Sequence, residues 1–526
     1  PYSAGVTSDT SWAPDGYAML GVNFRGTGCS QGTFQPLRGD IWGRDGADVV
    51  AWAARQPWSD GSIGMIGFSF TGVSQLATAE YAGPALKAIT PENVFPDLYR
   101  DIVYPGGIYN SWITAWIAGR NFVLGAPVLE QSYSDPTCDS SQATQAGADD
   151  AQMGVVAGNP YLDQAWADEP ENLLGRVHVP VLGCVDWQDS TAYSRGFDAY
   201  RELNPATTWV NGSNGVHADC VTSHAERVDF FDRYLKGEHN GWESTPHLVI
   251  QHEVRPNPAY TNLRDDPDGT TGAWQSSFAT WADVDAAIHP TALYLQAGGR
   301  LALTAPGTAQ PAGSYRYPAP TTNTGYDWTG REWWSNPTVP GSEVVYTTPR
   351  LTQDAEFLGP GSADLWVSST APDSDVQITL SEVRPDGQEM YVENGWLRLS
   401  DRQLDPRTST ALRPNHPYTL SAAQPLTPLA PVLARIELLP FDHVFRAGSA
   451  IRLSIDSPGG YFAIVPAPAQ NTIYHQRGMA SRLVLGWLPG ASAHAPLPVC
   501  GSVLDQPCRS NTTPVPSGSI TITGTG

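Results

Sequence analysis

Long hydrophobic runs, closely paired cysteines and an excess of positive charge are all missing from this chain of 526 residues. No stretch of roughly eighteen apolar residues occurs, so no segment is expected to span a membrane, and no signal peptide is expected within the sequence. Because no C-x-x-C pair is present, the cysteines do not predict a structural zinc site. With 30 basic against 53 acidic residues and a net charge of −23, the chain lacks the basic surface that nucleic-acid binding requires.

The residues that are present indicate a large, turn-rich protein. The length predicts two or three domains, and 51 glycines with 45 prolines predict many turns. Six cysteines, an even number, favour a secreted or extracytoplasmic protein, and Cys500 and Cys508, which bracket a short loop, form the predicted disulfide. The alternative for Cys29 and Cys184 is that both are buried small hydrophobic residues.

The most informative local pattern surrounds Ser69. A strand-like run at residues 63–66 is followed by the sequence Gly67-Phe68-Ser69-Phe70-Thr71-Gly72 and then by a helix-like run at residues 73–80. A serine on such a tight turn lies beyond the sheet, close to the first N–H groups of the new helix, where an oxyanion would form. The alternative is that Ser69 only caps the helix.

The preceding residues predict a parallel sheet. Residues 17–24 have the composition of a buried strand, and residues 43–54 have the periodicity of a helix with Val49, Trp52 and Ala53 on one face. Strand, helix, strand and helix in this order predict right-handed crossovers. From about residue 290 onward, short alternating segments separated by glycine, proline and aspartate predict a β-sandwich.

Together these motifs resemble one family, the α/β-hydrolases that include bacterial cocaine esterase, α-amino acid ester hydrolases and Xaa-Pro dipeptidyl-peptidases. The matching motifs are Pro1-Tyr2, Arg25-Gly26-Thr27-Gly28, Asp45-Gly46, Gln56-Pro57-Trp58-Ser59, Gly64-Met65-x-Gly67 and Gly67-x-Ser69-Phe70-x-Gly72. The family has tyrosine where Phe70 stands. Near the other end, Asp375-Val376-x-Ile378-x-Leu380 followed by Arg384-Pro385-Asp386-Gly387 resembles the family's C-terminal jelly-roll.

The resemblance implies an α/β class fold, with an α/β-hydrolase domain, a helical cap insertion and a C-terminal all-β jelly-roll sandwich. The expected boundaries are 1–94 for the first part of the hydrolase domain, 95–178 for the cap, 179–287 for the second part and 288–526 for the sandwich. Because relatives carry further strands before the Pro-Tyr pair, the N-terminal strands are expected to be absent from this sequence.

The resemblance also implies a catalytic triad in the chain order serine, aspartate, histidine. Ser69 is the expected nucleophile, and Asp189 follows a core strand where the family carries Gly-Trp-x-Asp. His217, after the next strand, is the expected base, with His224 as the competing candidate. Asp186 replaces a family glycine and is interpreted as a solvated or turn-capping carboxylate. The expected oxyanion hole consists of the Phe70 N–H and the hydroxyl of Tyr2.

Three tryptophans, Trp112, Trp116 and Trp187, are candidates for lining the substrate pocket. The first two lie one helical turn apart in the cap segment, and the alternative for them is a place in the core of the cap.

The function implied is serine hydrolysis of an ester, or of an amide, through an acyl-enzyme without metal or cofactor. The expected substrate is a small ester or a short peptide, and the oligomeric state stays open. The alternatives are an Xaa-Pro dipeptidyl-peptidase and a noncatalytic carbohydrate or protein binder with a relic hydrolase domain. The α-amino acid ester hydrolases are disfavoured, because Thr191 and Ala192 stand where those enzymes have acidic residues. A carboxylate for a substrate amine stays open among Asp97, Asp101, Asp135 and Asp186.

Overall fold

The computed structural model describes residues 11–27, 30–35, 38–112, 157–163, 166, 174–217, 219–257, 272–318 and 339–524. Tyr2, Trp116, Asp135 and Cys29, singled out above, lie outside these residues, as do Cys138 and most of the predicted cap. Among the described residues, no helix combines the length and the apolar character that a membrane crossing needs.

The first sheet has six strands that are adjacent in chain order. Its strands are β1 (Ile63–Phe68), β2 (Leu86–Glu92), β3 (Val181–Asp186), β4 (Thr208–Ser213), β5 (Leu248–His252) and β6 (Trp274–Phe278). The first five are parallel, and β6 pairs antiparallel with β5. Every residue of β3 and β4 is buried, as expected for central strands of a parallel sheet covered on both faces. The carboxyl ends of these strands therefore meet at one edge.

In the part of the chain that the structure describes, five α-helices accompany this sheet: α1 (Gly39–Ala53), α2 (Phe70–Ala79), α3 (Gly196–Glu202), α4 (His224–Tyr234) and α5 (Trp281–Ala287). Shorter turns are a π-helical one at Tyr99–Val103 and 3-10 turns at Pro105–Gly107, Trp242–Ser244 and Leu399–Asp401. Helices α1 and α2 approach closely because α1 has glycine at the contact: a Cβ at Gly43 would lie 2.4 Å from the carbonyl oxygen of Ala77.

Two local predictions in this region were wrong. The buried face of α1 contains Trp42, Val50 and Ala53, whereas Trp52 is 48% exposed, because the helix meets α2 through its glycine side. Residues 17–24 are not a strand: the segment has no ladder partner among the described residues, and Leu20 and Val22 are exposed. Composition favoured a strand there, but a strand also needs a neighbouring edge with which to pair.

The second part of the chain is β-rich. Its strands are β7 (His289–Gln296), β8 (Arg300–Ala302), β9 (Gly313–Tyr317), β10 (Val344–Thr347), β11 (Arg350–Leu351), β12 (Ala355–Ser369), β13 (Asp375–Val383), β14 (Gln388–Arg398), β15 (Val432–Phe445), β16 (Ala450–Asp456), β17 (Ala469–Gln476), β18 (Met479–Ala480), β19 (Arg482–Leu488), β20 (Cys508–Ser510) and β21 (Ser519–Ile520). The long strand β12 pairs with β15 on one side and with β19 and β17 on the other.

The β-rich part folds back on itself as two layers. Strand β13 lies between β14 and β16, and β14 crosses directly over β15, where a Cβ at Gly395 would lie 1.8 Å from the Glu437 carbonyl oxygen. The β13–β14 hairpin turns at Gly387, whose φ of 81° favours glycine. The predicted fold class, an α/β-hydrolase domain with a C-terminal all-β domain, is confirmed.

Candidate active site

Ser69 lies on the turn between β1 and α2 with φ 62° and ψ −134°, a backbone region that residues other than glycine rarely adopt. Its N–H donates to the carbonyl oxygen of Glu92 at 2.9 Å, which fixes the turn to the end of β2. The two flanking glycines are needed sterically. A Cβ at Gly67 would lie 2.6 Å from the hydroxyl of Thr71, and one at Gly72 would lie 2.7 Å from that same Glu92 carbonyl. Backbone strain of this kind costs roughly 1–3 kcal/mol and is concentrated at functional sites.

Phe70 is the first residue of α2, and its ring and its backbone N–H have different roles. The ring packs with Phe24, Phe34 and Trp42, at centroid distances of 5.2, 5.6 and 4.7 Å. The N–H belongs to the first turn of the helix, whose amides have no intrahelical acceptor and carry the positive end of the helix dipole. The helix start beside Ser69 is therefore suited to stabilising a negative oxygen.

Asp189 lies just beyond β3, with a side chain that is only 2% exposed. Its Oδ1 accepts hydrogen bonds from the N–H groups of Thr191 and Ala192, at 2.8 and 2.9 Å. Its Oδ2 lies 2.8 Å from Nδ1 of His217. Two backbone donors thus orient the carboxylate toward the imidazole.

His217 lies in the loop that follows β4, and its ring is 5.5 Å from the ring of Phe68, the residue before Ser69. The imidazole therefore borders the strand end that leads into the tight turn. Within the described residues, no hydrogen bond joins the Ser69 hydroxyl to His217. Such contacts are often long in structures without substrate and shorten in the reacting complex.

The loop that carries His217 is attached to distant parts of the chain. The Asn214 side-chain amide donates to the carbonyl oxygens of Val254 and Leu504, both at 2.9 Å, and its oxygen accepts from the Val254 N–H at 2.7 Å. The Val216 N–H donates to Asp219 at 3.0 Å. A β-domain residue therefore helps to hold the imidazole loop in place.

Two disulfides are present among the described residues. One joins Cys184 on β3 to Cys220, just past His217, with the Cα atoms 5.9 Å apart. Cys184 is therefore not merely a buried small residue, as the alternative above had it. The other joins Cys500 to Cys508, with the Cα atoms 5.8 Å apart.

Asp186 is neither solvated nor a turn cap, which corrects the interpretation from sequence. The side chain is fully buried and accepts hydrogen bonds from the amide of Asn93 at 2.7 Å and the hydroxyl of Ser213 at 3.0 Å. Burial, reinforced by the charge of Asp219, raises the pKa of the Asp186 carboxyl well above its usual range. This carboxyl joins the ends of β2, β3 and β4 beneath the site.

His224, the competing candidate, begins α4. Its Nε2 lies 2.9 Å from a carboxylate oxygen of Asp15, and its ring packs edge-on against Trp12 at 4.8 Å. The contact with Asp189 is made by His217.

A cleft lies next to Asp189 and is lined by both parts of the chain. The hydrolase part contributes Asn110, Trp112, Gln188, Asp189, Ser190 and Tyr193, and the β-domain contributes Tyr391, Glu393, Asn394, Trp396, Gly459, Tyr461 and Phe462. Sequence reasoning missed the second group, since nothing local marks residues that reach the site from two hundred or more positions away.

Of the three candidate pocket tryptophans, Trp112 lines this cleft and Trp187 does not. Trp187 is 1% exposed, and its ring fills the space over Gly212, where a Cβ would lie 2.4 Å from the indole. Trp187 therefore lies in the protein core and not on this cleft, although it is only two positions from Asp189 in sequence.

Among the described residues, the carboxylates considered for a substrate amine already have partners. Asp97 pairs with Arg100, and its backbone N–H donates to Asp101 at 3.0 Å. Asp101 lies 3.7 Å from Arg195, and burial together with Asp97 raises the pKa of Asp101 well above its usual range. These groups form a buried ionic network rather than a free acceptor for a substrate cation.

Two family models match the chain. The model described as X-Pro dipeptidyl-peptidase (S15 family) matches residues 2–219, and the one described as X-Pro dipeptidyl-peptidase C-terminal non-catalytic domain matches residues 240–479. The first range contains Ser69, Asp189 and His217, and the second contains most of the β-domain strands.

Individual proteins are similar over nearly the whole chain. Cocaine esterase of Rhodococcus sp. (strain MB1 Bresler) is 27% identical over 517 residues, covering 86% of this chain and 82% of that protein. A Mycobacterium bovis relative named for serine esterase activity is 26% identical over 558 aligned positions, covering 89% and 83%. Among solved structures, a CocE/NonD family hydrolase from Staphylococcus aureus has a TM-score of 0.67 and 22% identity, covering 88% of this chain and 78% of its own.

Proposed function

Because the chain belongs to the α/β-hydrolase family of cocaine esterase and the Xaa-Pro dipeptidyl-peptidases, we propose that it is a serine hydrolase that cleaves carboxylic esters through an acyl-enzyme at Ser69. The observation that carries the proposal is the 2.8 Å contact between Asp189 and His217, at neighbouring strand ends beside the strained turn of Ser69. A serine hydroxyl needs a positioned base to become nucleophilic, and the base needs a carboxylate that fixes its tautomer.

The proposed reaction proceeds in two halves. His217 takes the proton of the Ser69 hydroxyl as the serine oxygen bonds to the ester carbonyl carbon. The proton then passes to the leaving alcohol as the ester C–O bond breaks, which leaves an acyl group on Ser69. Water, deprotonated by the same imidazole, attacks the acyl carbon, and the serine oxygen leaves with the proton. Asp189 keeps the imidazole oriented and stabilises its charged form.

The negative oxygen of each tetrahedral intermediate needs donors placed in advance. The Phe70 N–H at the start of α2 is the proposed first donor. The Tyr2 hydroxyl is proposed as the second donor on the strength of the family resemblance alone, since residue 2 lies outside the described residues.

An ester is preferred to an N-terminal dipeptide as the substrate. The relatives named for esterase activity are 26–27% identical, with 82–83% of their lengths covered, whereas those named for Xaa-Pro dipeptidyl-peptidase activity are 23% identical, with 68–70% covered. The cleft next to Asp189 presents aromatic walls from Trp112, Trp396 and Phe462, which suit a flat or apolar acyl group. Of the described candidates for an amine acceptor, Asp97 and Asp101 are engaged with arginines, and Asp186 is buried against Asn93 and Ser213.

The second candidate is the dipeptidyl-peptidase, favoured by the names of both family models. We also propose an extracytoplasmic location, because the two disulfides Cys184–Cys220 and Cys500–Cys508 would persist in an oxidising compartment.

The first test is covalent labelling by a fluorophosphonate probe, followed by turnover of p-nitrophenyl acetate, p-nitrophenyl benzoate and Ala-Pro-p-nitroanilide. We expect labelling at Ser69 and turnover of the esters. Ser69→Ala should abolish labelling and reduce kcat/KM by several orders of magnitude. Ser74→Ala on the same helix is the matched control, since the one described partner of its hydroxyl is the Thr71 carbonyl, and it should retain both.

Two results would contradict the proposal. Absence of labelling in the folded protein would favour the noncatalytic binder, and efficient release of p-nitroaniline with negligible ester turnover would favour the dipeptidyl-peptidase.

A further inference from the structure

Three potential metal ligands converge where the hydrolase sheet meets the β-domain. His252 ends β5, Glu356 lies on β12 and Asp442 lies on β15, and all three are buried. One ligand atom from each lies within 4.8 Å of the other two. The first two are 104 positions apart in sequence and the last two are 86 apart. At such separations the three residues form no metal-binding motif that could be recognised from the sequence.

The imidazole of His252 is fixed in orientation by its surroundings. Its ring stacks on Trp274 of β6 with the planes 7° apart, and Nε2 lies 2.7 Å from the hydroxyl of Ser276. This leaves Nδ1 facing Asp442, with 3.0 Å between Nδ1 and Oδ2. An Nε2–H that donates to Ser276 would leave the Nδ1 lone pair toward the carboxylates, the arrangement found when histidine binds a metal.

The two carboxylates face each other because of the strand register. In the β12–β15 ladder Glu356 lies opposite Val444, and Leu358 lies opposite Asp442, so the two acids are diagonal neighbours on one face. The side chains of Glu356 and Asp442 are within hydrogen-bond distance of each other, so the two carboxyl groups are in direct contact. Among the described residues, Oδ1 of Asp442, whose side chain is 3% exposed, is buried without a partner. Arg446, which packs against the same Trp274, is paired with Glu253 instead.

We propose that His252, Glu356 and Asp442 bind one divalent transition-metal ion, with Zn²⁺ as the best match. One imidazole nitrogen and two carboxylate oxygens form a known kind of zinc ligand set, completed to four by water. Ligands at about 2.0–2.1 Å from one ion lie roughly 3 Å apart, as Nδ1 and Oδ2 do. Ca²⁺ and Mg²⁺ fit poorly, since both prefer more ligands and only oxygen.

The ion would be structural rather than catalytic. It would join the last parallel strand of the first sheet to two strands of the β-domain, and so hold together the two surfaces that share the cleft beside Asp189. It would also offset the charge of two buried carboxylates, which otherwise require a shared proton.

The test uses the full chain, purified without a polyhistidine tag and treated with EDTA. Titration with Zn²⁺ against a chromophoric chelator should show about one tight site per chain, and Zn²⁺ should raise Tm. Co²⁺ should give the visible absorption of a four-coordinate site. His252→Ala and Asp442→Asn should each weaken binding by more than the roughly 10–100-fold typical of losing an outer-sphere partner.

The matched control is Glu382→Gln, which alters another buried carboxylate that pairs with a histidine in the β-domain, His443. It should bind Zn²⁺ like the wild type. The proposal fails if the wild type shows no stoichiometric site, a result that requires no variant to fold, or if Asp442→Asn binds as tightly as the wild type. Either result would mean that a proton shared by Glu356 and Asp442, and not a metal ion, offsets the charge of the two carboxylates.

Discussion

At the scale of single residues, two aspartates three positions apart have opposite environments. Asp189 is held by two backbone N–H groups and faces His217, whereas Asp186 is fully buried and accepts hydrogen bonds from Asn93 and Ser213. The first environment suits a charged carboxylate, and the second raises the pKa of its carboxyl well above the usual range. Sequence alone suggested that Asp186 was solvated, because its burial depends on how three strand ends converge.

Asp189→Asn should reduce kcat for ester hydrolysis by about 10⁴-fold, since an amide at this position favours the wrong imidazole tautomer. Steady-state kinetics with p-nitrophenyl esters, beside a circular dichroism spectrum that establishes folding, provide the measurement.

The control is Asp186→Asn. Burial raises the pKa of the Asp186 carboxyl well above its usual range, and its partners are Asn93 and Ser213 rather than the imidazole. A neutral amide of the same shape should therefore replace it with little change, and kcat should stay within about tenfold of the wild type. Equal losses in both variants would mean that Asp189 acts structurally.

At the scale of helices and strands, much of the architecture could be predicted. The predicted strand at residues 63–66 lies within β1, and the predicted helix at residues 73–80 coincides with α2 as far as its last residue, Ala79. Both were predictable because continuous apolar runs and a glycine-flanked turn are local signals. The strand predicted at residues 17–24 was wrong because pairing is not local. The position of Trp52 was wrong for a related reason: α1 buries Trp42, Val50 and Ala53 and meets α2 at Gly43, which leaves Trp52 exposed.

The contact between α1 and α2 should therefore be intolerant of added volume. Gly43→Ala would place a methyl group 2.4 Å from the Ala77 carbonyl oxygen and should destabilise the protein by about 1–3 kcal/mol. Urea unfolding measures the change. Gly83→Ala, with no atom within 4 Å of the new Cβ and no positive φ, is the matched control and should be neutral or slightly stabilising.

Glu80, at the carboxyl end of α2, should make the stability of the folded protein depend on pH. Burial raises the pKa of Glu80 to about 8, above the 4.5 of an exposed glutamate, and both of its oxygens lack partners among the described residues. The folded state then holds the proton more tightly than the unfolded state, so stability is unaffected below pH 4.5 and falls as pH rises toward 8.

Glu80→Gln should remove this penalty. We expect the variant to exceed the wild type by on the order of 1 kcal/mol at pH 8.5, a value reduced for partial exposure, and to match it at pH 4.5. Thermal unfolding across this range tests the sign. A constant difference at all pH values would show that the gain does not come from titration of Glu80.

At the scale of the whole molecule, the site depends on residues that sequence proximity could not connect. The cleft combines Trp112 with Trp396 and Phe462, and the imidazole loop is attached to both Val254 and Leu504. Family motifs indicated the turn of Ser69 and the strand β3 that precedes Asp189. The β-domain residues of the cleft belong to no such motif, since they only need to form a surface.

The two disulfides should contribute unequally to the free energy of unfolding. Cys184–Cys220 closes 36 residues and Cys500–Cys508 closes 8, so loop entropy alone makes the first worth about 1.3 kcal/mol more. Replacing each pair by serines and measuring urea unfolding should give the larger loss, about 2–5 kcal/mol, for the first pair. Equal losses would show that chain entropy does not dominate.

The hydrogen bonds of Asn214 also bear on biosynthesis. Residue 214 is held by the carbonyl of residue 504, 290 positions later. During translation, the loop that carries the imidazole cannot acquire this anchor until residue 504 has left the ribosome, long after residue 217 has done so. Hydrolytic competence should therefore arise only after this part of the β-domain has been synthesised, which would keep a nascent chain that lacks it from acting on esters.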